Sequence, residues 1–152
     1  MLRPTFLGLE ALIVERLQAA SLPAGARVLS VEDLSEAREV SLPKPSVRVV
    51  YGGHRIIADG SPLPPGWAMV EQTWLAVVAV RNVRDIKAGA AARGEASPLC
   101  DAVLDTLDGW SPGGGYGTLK SATPGLGPLT VEGCSYVPFA FVSRFRRSKE
   151  CS

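Results

Sequence analysis

The pattern of apolar positions marks residues 72–81 as the clearest β-strand of the chain. The segment is rich in β-branched and aromatic residues and has neither Gly nor Pro inside it. Trp74 and Val78 fall on one face, whereas Leu75 and Val77 fall on the other, so both faces are apolar. Strands of this kind are covered on both sides. A helix can cover one face, and we expect the other face to need a further cover, for which another chain is a candidate.

Two amphipathic helices are predicted on either side of this strand. Residues 5–20 place an apolar stripe at helical spacing, with charged residues opposite, and Thr5 is a plausible cap. A second helix is predicted to run from a Ser97 cap, with Pro98 at its first position, to Gly109. The two apolar stripes consist of Leu9, Leu12, Ile13 and Leu17 in the first helix and of Leu99, Val103, Leu104 and Leu107 in the second.

Shorter apolar runs predict the remaining strands. Residues 47–51 predict a strand that bends or bulges at Gly52 and Gly53. Residues 136–146 predict an aromatic last strand, in which Pro138 cannot donate to a ladder and therefore indicates an edge or a bulge. Weaker strands are predicted at residues 26–31 and 129–132, and residues 32–40 fit a short helix.

The order of these elements is helix, strands, helix, strands, which predicts an α+β fold. We expect a mostly antiparallel sheet with two main helices packed on one face. The chain of 152 residues is long enough to bury a core, and we expect residues 1–152 to form a single domain. Pro-rich and small residues predict long loops at residues 52–71 and 83–96, and loops of this length are usually functional.

Composition argues against several classes of protein. The net charge is +1, with 16 basic and 15 acidic side chains, so bulk charge predicts neither a membrane nor a sequence-specific nucleic-acid partner. The longest apolar run, residues 75–80, is too short to span a bilayer, and no secretory signal is apparent. The 3 cysteines have no regular spacing, so they predict no disulfide framework and an intracellular origin is the default.

Residues that carry chemistry are few. His54 is the single histidine, which argues against a His-rich metal site, and nothing local pairs it with a cysteine. Asp101, Asp105 and Asp108 share one side of the second helix, where a solvated face explains them better than a metal cluster does. The glycine-rich residues 113–117 lack the Lys-Ser/Thr of a phosphate loop and are interpreted as a flexible link. We therefore expect no catalytic residue, no cofactor and no metal site.

Candidate interface residues come from the two predicted loops and their borders. Trp67 is interpreted either as a lid over the edge of the core or as an interface residue, since a tryptophan is costly to expose without a reason. The basic residues around the second loop can meet an acidic partner, although a solvated loop is the simpler explanation. The candidate interface residues are His54, Arg55, Trp67, Arg81, Arg84, Lys87 and Arg93.

Several stretches taken together resemble a known family. They are Glu10-Ala-Leu-Ile-Val-Glu-Arg-Leu, Val47-Arg-Val-Val-Tyr-Gly-Gly, a strand that ends in Val80-Arg-Asn, Leu104-Asp-Thr-Leu-Asp-Gly-Trp and the aromatic last strand. In this order they resemble the tail terminator, or tail completion, proteins of long-tailed phages. That group includes minor tail protein U of lambda-like phages and Mu-like tail proteins. Residues 21–45 and the glycine-rich link lie outside the resemblance.

The resemblance implies a structural virion protein rather than an enzyme. Such subunits form a ring, expected to be a hexamer, that caps the finished tail tube, ends its polymerisation and offers a surface for head–tail joining. The implied partners are further copies of the chain, the tail tube protein and a connector or neck protein on the head side, with DNA passing through the ring. The implied location is the head-proximal end of the virion tail, after assembly in the host cytoplasm.

Assembly also fits the pattern of the central strand, since an uncovered face or open strand edges can be satisfied by neighbouring copies. Alternative functions remain open. Another head–tail connector or neck protein differs from a terminator in that only the loss of the terminator gives overlong tubes. A small cytosolic ligand-binding module, with its pocket under residues 52–71, would show a ligand-dependent rise in melting temperature. A hydrolase that uses His54 and a cysteine would lose its function in His54→Ala.

Overall fold

One mixed sheet and three helices make up the described part of this computed structural model, which comprises residues 4–57, 63–81, 88–131 and 133–148, apart from the side chains of residues 88–95 and 131. The helices are α1 (Leu9–Ala19), α2 (Leu34–Ala37) and α3 (Ala88–Leu107), with a 3₁₀ turn at Pro23–Gly25. The strands are β1 (Arg27–Ser30), β2 (Ser46–Ile57), β3 (Trp67–Arg81), β4 (Lys120–Ala122), β5 (Leu129–Val131) and β6 (Cys134–Ser148).

The strands lie in the order β1-β2-β3-β6-β4, and β5 also pairs with β6. β1 and β2 run parallel, and the other described pairs are antiparallel. α1 and α3 pack on one face of the sheet, which confirms the predicted α+β fold with two main helices on one face. α1 begins at Leu9 rather than near Thr5, and no side chain caps it. This first face buries Leu9, Ile13 and Leu17 of α1 and Leu99, Val103 and Leu107 of α3 against Trp74, Ala76 and Val78 of β3.

β2 and β3 form a hairpin that is longer than the sequence pattern predicts. After a register shift at Gly52 and Gly53, which is the predicted bulge, their ladder continues for another 4 residue pairs. The predicted loop at residues 52–71 is therefore wrong, because its first part belongs to β2 and its last part to β3. Pro64 and Pro65 lie just before β3 begins, where no ladder hydrogen bond is required of them.

α3 begins at Ala88, well before the predicted cap at Ser97, and Pro98 lies inside it. A proline in a helix interior removes a hydrogen bond, which made a helix start at this position the simpler prediction. The residues before it are mostly alanine, however, and alanine has the highest helix propensity. The predicted loop at residues 83–96 is wrong from Ala88 onward, and residues 82–87 lie outside the described residues.

The second face of β3 is covered by the same chain. α2 and its flanking turns pack over this face beside side chains of β1, and residues 74–80 are at most 5% exposed. The prediction that another chain covers the strand is therefore wrong. The covering segment, residues 21–45, was hard to interpret because it contributes apolar side chains one at a time from a strand, a short helix and turns. Those side chains are Leu29, Val31, Leu34, Ala37, Val40 and Leu42.

Arg48 holds this covering segment in place from inside the sheet. Its side chain is 0% exposed although its neighbours on β2 are apolar. The guanidinium donates to four backbone carbonyls of the covering segment and to the Ser46 hydroxyl, at 2.9–3.3 Å. It also lies 5.4 Å from the ring centre of Tyr136 on β6. A buried cation is tolerable only with such a set of partners, so Arg48 fixes the path of the segment above it.

Pro138 lies in β6, which is an internal strand of the sheet and not an edge strand. It stands opposite Val77 of β3. On the other side of β6, the β5 pairs end at Tyr136 and the β4 pairs begin at Ala140. Pro138 therefore faces a gap between two short strands, where its missing N–H group leaves no ladder hydrogen bond unmade. The predicted edge is local and does not extend to the whole strand.

Candidate interaction surfaces

A metal-binding cluster and a membrane-spanning helix are both absent from the part of the chain that the structure describes. Within that part, no group of three or more His, Cys, Asp or Glu side chains is arranged to hold a metal ion. No described helix is both long enough and apolar enough to cross a membrane. The exposed aspartates of α3, Asp101 and Asp105, accordingly form a solvated side of the helix, as predicted.

His54 meets aromatic side chains rather than a thiol. Its Nδ1 lies 2.5 Å from the Tyr51 hydroxyl, and its ring contacts Phe6 edge-on with 4.8 Å between ring centres. Cys134 is buried on the opposite face of the sheet. These positions separate His54 from Cys134, and Cys151, a further thiol that the hydrolase hypothesis could use, lies outside the described residues.

Cys100 lies on α3 at the border of the core. Burial raises the pKa of its thiol to about 11, and the neighbouring Asp101 carboxylate acts in the same direction. A thiol with so high a pKa is protonated at neutral pH and is a poor nucleophile. Cys100 therefore behaves as a small, partly buried apolar residue.

The cover of the second sheet face stops near Leu75, and the sheet beyond it forms an exposed surface. Trp67, on the first residue of β3, is 43% exposed there. Cross-strand neighbours share a face, so the register of β2, β3, β6 and β4 defines the members of this surface. The open face, as it is named below, consists of Arg55, Ile57, Trp67, Met69, Glu71, Thr73, Lys120, Val142, Arg144 and Arg146.

Glu71 joins three strands at the centre of the open face. Its Oε1 accepts a hydrogen bond from Arg55 Nε at 2.8 Å, and its Oε2 accepts one from Arg144 Nε at 2.9 Å. The hydrogen bond from Arg55 is the largest cause that lowers the pKa of Glu71 below its ordinary value, and Arg144 adds to it against the opposing effect of desolvation. Glu71 is therefore charged at neutral pH and holds both guanidinium groups in place.

A groove of about 1000 Å³ borders the open face beside the end of β6. The residues that line it include the aromatic Trp67, Tyr116 and Phe145 and the basic Arg144 and Arg146. Aromatic residues and arginine are the types that dominate binding energy at protein–protein interfaces. The exposure of Trp67 in this groove favours the interface interpretation of this residue over a lid on the core.

Residues 111–117 form an ordered loop rather than the flexible link that was predicted. The Tyr116 hydroxyl donates to the backbone carbonyl of Thr5, and Gly117 N donates to the Arg144 carbonyl at 2.8 Å. A Cβ atom at Gly117 would lie 2.6 Å from that carbonyl oxygen, so glycine is required for this close approach. The loop therefore fixes one wall of the groove against β6.

The predicted interface residues fall at two opposite ends of the sheet. His54, Arg55 and Trp67 lie together at the end that carries the open face. Arg81 is exposed at the other end of β3, about 45 Å from Trp67 at the rise of an extended strand. The structure thus places Arg55 and Trp67 on the open face and His54 on the opposite face at the same end, and it separates all three from Arg81. Outside the described residues lie Arg84, Lys87 and the side chain of Arg93.

Four charged residues of the open face were missed by the sequence reasoning: Glu71, Lys120, Arg144 and Arg146. A signal was present, because the last strand changes from aromatic to basic toward its end and a carboxylate stands in an otherwise apolar strand. A charge at a position that continues an apolar face indicates that this face has become exposed. The contacts of Glu71 with Arg55 and Arg144 depend on the register of three strands, which the pattern does not contain.

A family model described as phage tail terminator protein matches residues 5–150. The chain belongs to the phage tail terminator family. A chain of the solved structure "Virion of native gene transfer agent (GTA) particle" has a similar fold, with a TM-score of 0.55 and 17% identity over 91% of this chain and 95% of that chain. No curated protein matches the sequence.

Membership in the phage tail terminator family makes this chain a structural protein of the virion tail. It confirms the resemblance noted in the sequence, and it favours the virion protein over the cytosolic ligand-binding module. A tail protein assembles with other virion proteins, so the exposed surfaces described above are those available for assembly.

Proposed function

We propose that this chain forms a ring, expected to be a hexamer, that caps the phage tail tube, ends its polymerisation and provides the surface for head–tail joining. The match of the phage tail terminator family over residues 5–150 carries the proposal. The partners are further copies of the chain, the tail tube protein and a head-side connector or neck protein. DNA passes through the ring without sequence-specific contacts, and no cofactor takes part.

The positions of the candidate interface residues support two axial contacts. His54, Arg55 and Trp67 lie at one end of the sheet, whereas Arg81 lies at the other. A ring at the head-proximal end of a tail has two axial neighbours, the tube and the connector. Two separated surfaces suit two partners, so we assign one end of the sheet to each, with the basic residues after Arg81 as further contacts.

Burial of the central strand changes how such a ring is stabilised. Because residues 74–80 are at most 5% exposed within one chain, no neighbouring copy is needed to complete the core. We therefore expect residues 1–152 to fold as one domain before assembly. Subunits would then join through exposed charged and aromatic side chains, as in non-obligate interfaces.

Particles that lack this chain provide the test. We expect them to form overlong tails of variable length, and we expect the wild-type chain to restore a defined length, as measured by electron microscopy. Trp67→Ala should restore length poorly because it removes an exposed aromatic anchor. Leu7→Ala, which removes a similarly exposed apolar side chain elsewhere, is the matched control and should restore length fully.

The same images separate the terminator from the nearest alternative. Tails of normal length that carry no heads would indicate another neck protein and would contradict tube termination. If Trp67→Ala restores a defined tail length as well as the wild-type chain does, the proposed tube termination is still supported. Trp67 would then not belong to the interface.

A further inference from the structure

The open face carries more basic than acidic side chains. Its described charged residues are four basic side chains and one carboxylate, Glu71, which two of those basic side chains already engage. Lys120 and Arg146 are exposed and take part in no ion pair among the described residues. This face therefore suits an acidic partner, and it disfavours a back-to-back pairing with an identical basic face.

Glu71 also aligns the two arginines for such a partner. Both contacts to Glu71 use the Nε atoms, so they do not occupy the terminal guanidinium nitrogens of Arg55 and Arg144. The side chains of these arginines are 70% and 53% exposed. A guanidinium held in this way can bind a further carboxylate with its remaining N–H donors.

An acidic surface of matching character lies on the opposite side of the same chain. Asp101 and Asp105 are exposed one helical turn apart on α3, whose inner side buries Leu99 and Val103 against the first face of the sheet. Asp108, farther along, accepts a hydrogen bond from Ser121 N. The pair Asp101 and Asp105 is named the acidic stripe below. The acidic stripe and the open face lie on opposite sides of the sheet, so they cannot meet within one chain.

We propose that copies of this chain join head to tail, with the basic part of the open face on β4 and β6, which carries Lys120, Arg144 and Arg146, bound to the acidic stripe of the next copy. Arg55 and Trp67, on β2 and at the start of β3, then remain for the axial contact proposed above. The proposal rests on the ring proposed above and identifies which surfaces join its subunits. Two different complementary patches on one chain produce a heterologous contact, and such a contact closes into a ring when the rotation per copy fits. The contact is electrostatic, so added salt weakens it.

Reversal of charge on each patch tests the pairing. The first variant combines Lys120→Glu and Arg146→Glu, which leave the contacts of Glu71 intact. The second combines Asp101→Lys and Asp105→Lys, where lysine suits the C-terminal half of a helix. Self-association is measured by sedimentation equilibrium up to millimolar protein, and circular dichroism melts verify that each variant folds.

We expect each reversed variant to associate at least tenfold more weakly than the wild type. An equimolar mixture of the two should recover association, because each wild-type patch then meets its complement and each reversed patch meets the other. A control variant with Glu15→Lys and Arg27→Glu changes exposed charges outside both patches and should associate like the wild type.

Two results would overturn the inference: a mixture that recovers no association, or a wild-type chain that remains monomeric throughout the concentration range. Neither result bears on tail length in particles, so the proposed function is tested separately. Conversely, a rescued mixture together with tails of normal length in particles without the chain would support this contact and contradict tube termination.

Discussion

The two halves of β3 differ in how the chain covers them. In residues 74–80 both faces are buried, the first by α1 and α3 and the second by the segment around α2. In residues 67–73 only the first face is covered, and the second is the open face. Where the covering segment ends, apolar side chains give way to Glu71 and to the arginines beside it. One strand therefore contributes both to the stability of the subunit and to the exposed surface available for assembly.

Two tryptophans of β3 give the largest expected contrast. Trp74 is 1% exposed, and its ring centre lies 5.1 Å from that of Tyr51, whereas Trp67 is 43% exposed. We expect Trp74→Ala to lower the free energy of unfolding by about 3–5 kcal/mol through lost burial and a cavity. Trp67→Ala should lower it by less than about 1 kcal/mol. Urea unfolding of both variants measures the difference, and equal losses would contradict the division of the strand.

Arg48 tests whether the second face depends on its cover. Arg48→Met keeps much of the side-chain volume but leaves several buried carbonyls without donors, so we expect a loss of about 3–5 kcal/mol in unfolding free energy. Arg38→Met removes one partly buried contact, to Leu34 O, and should cost less than about 1 kcal/mol. Chemical denaturation monitored by tryptophan fluorescence compares them. An Arg48→Met variant as stable as the wild type would show that the covering segment is held by its apolar contacts alone.

A pair of glycines tests the loop beside the groove. Gly117→Ala would place a methyl group against the Arg144 carbonyl, and we expect it to cost about 1–3 kcal/mol. Gly125→Ala meets nothing within 4 Å and should change stability by less than about 1 kcal/mol. Thermal melts of the two variants provide the measurement. Similar melting temperatures would mean that residues 111–117 yield easily, and that the wall of the groove is not fixed.

The Glu71 contacts should give the smallest effect, because the arginines on either side are largely exposed. At neutral pH we expect Glu71→Gln to cost less than about 1 kcal/mol. The folded-state pKa of Glu71 lies below 4.5, so its contribution is present above that value and is lost as pH falls through the lowered pKa. As the pH is lowered from 7 to about 3, the urea midpoint of the wild type should therefore approach that of the Glu71→Gln variant. Midpoints of the two proteins that remain equally far apart at low pH would argue against this role.

Much of the fold could be predicted from periodicity. Leu9, Ile13 and Leu17 in one helix and Leu99, Val103 and Leu107 in another are buried as their spacing indicates. The bulge at Gly52 and the short strands also lie near their predicted positions. The length of the hairpin and the start of α3 were predicted wrongly, because hydrogen bonds to neighbouring strands and a run of alanines override the local signals of Gly and Pro.

The candidate site was predicted only in part. Trp67 and Arg55 were named from a loop interpretation, and the structure places them on a strand beside Glu71 and Arg144. The prediction that neighbouring copies cover the central strand was wrong, since it assigned residues 21–45 to neither face of the sheet. Those residues carry apolar side chains without a regular period, so no local pattern assigns them to a face of the sheet.

By itself, the sequence determined which side chains avoid water, because burial of apolar surface follows from their chemistry and spacing. It also determined the family of the chain. Only the tertiary structure decided where the cover of the second face ends, and therefore which charges remain exposed together. The reason is that Arg55, Glu71 and Arg144 belong to three separate strands, and their contact arises from strand register, which long-range pairing sets.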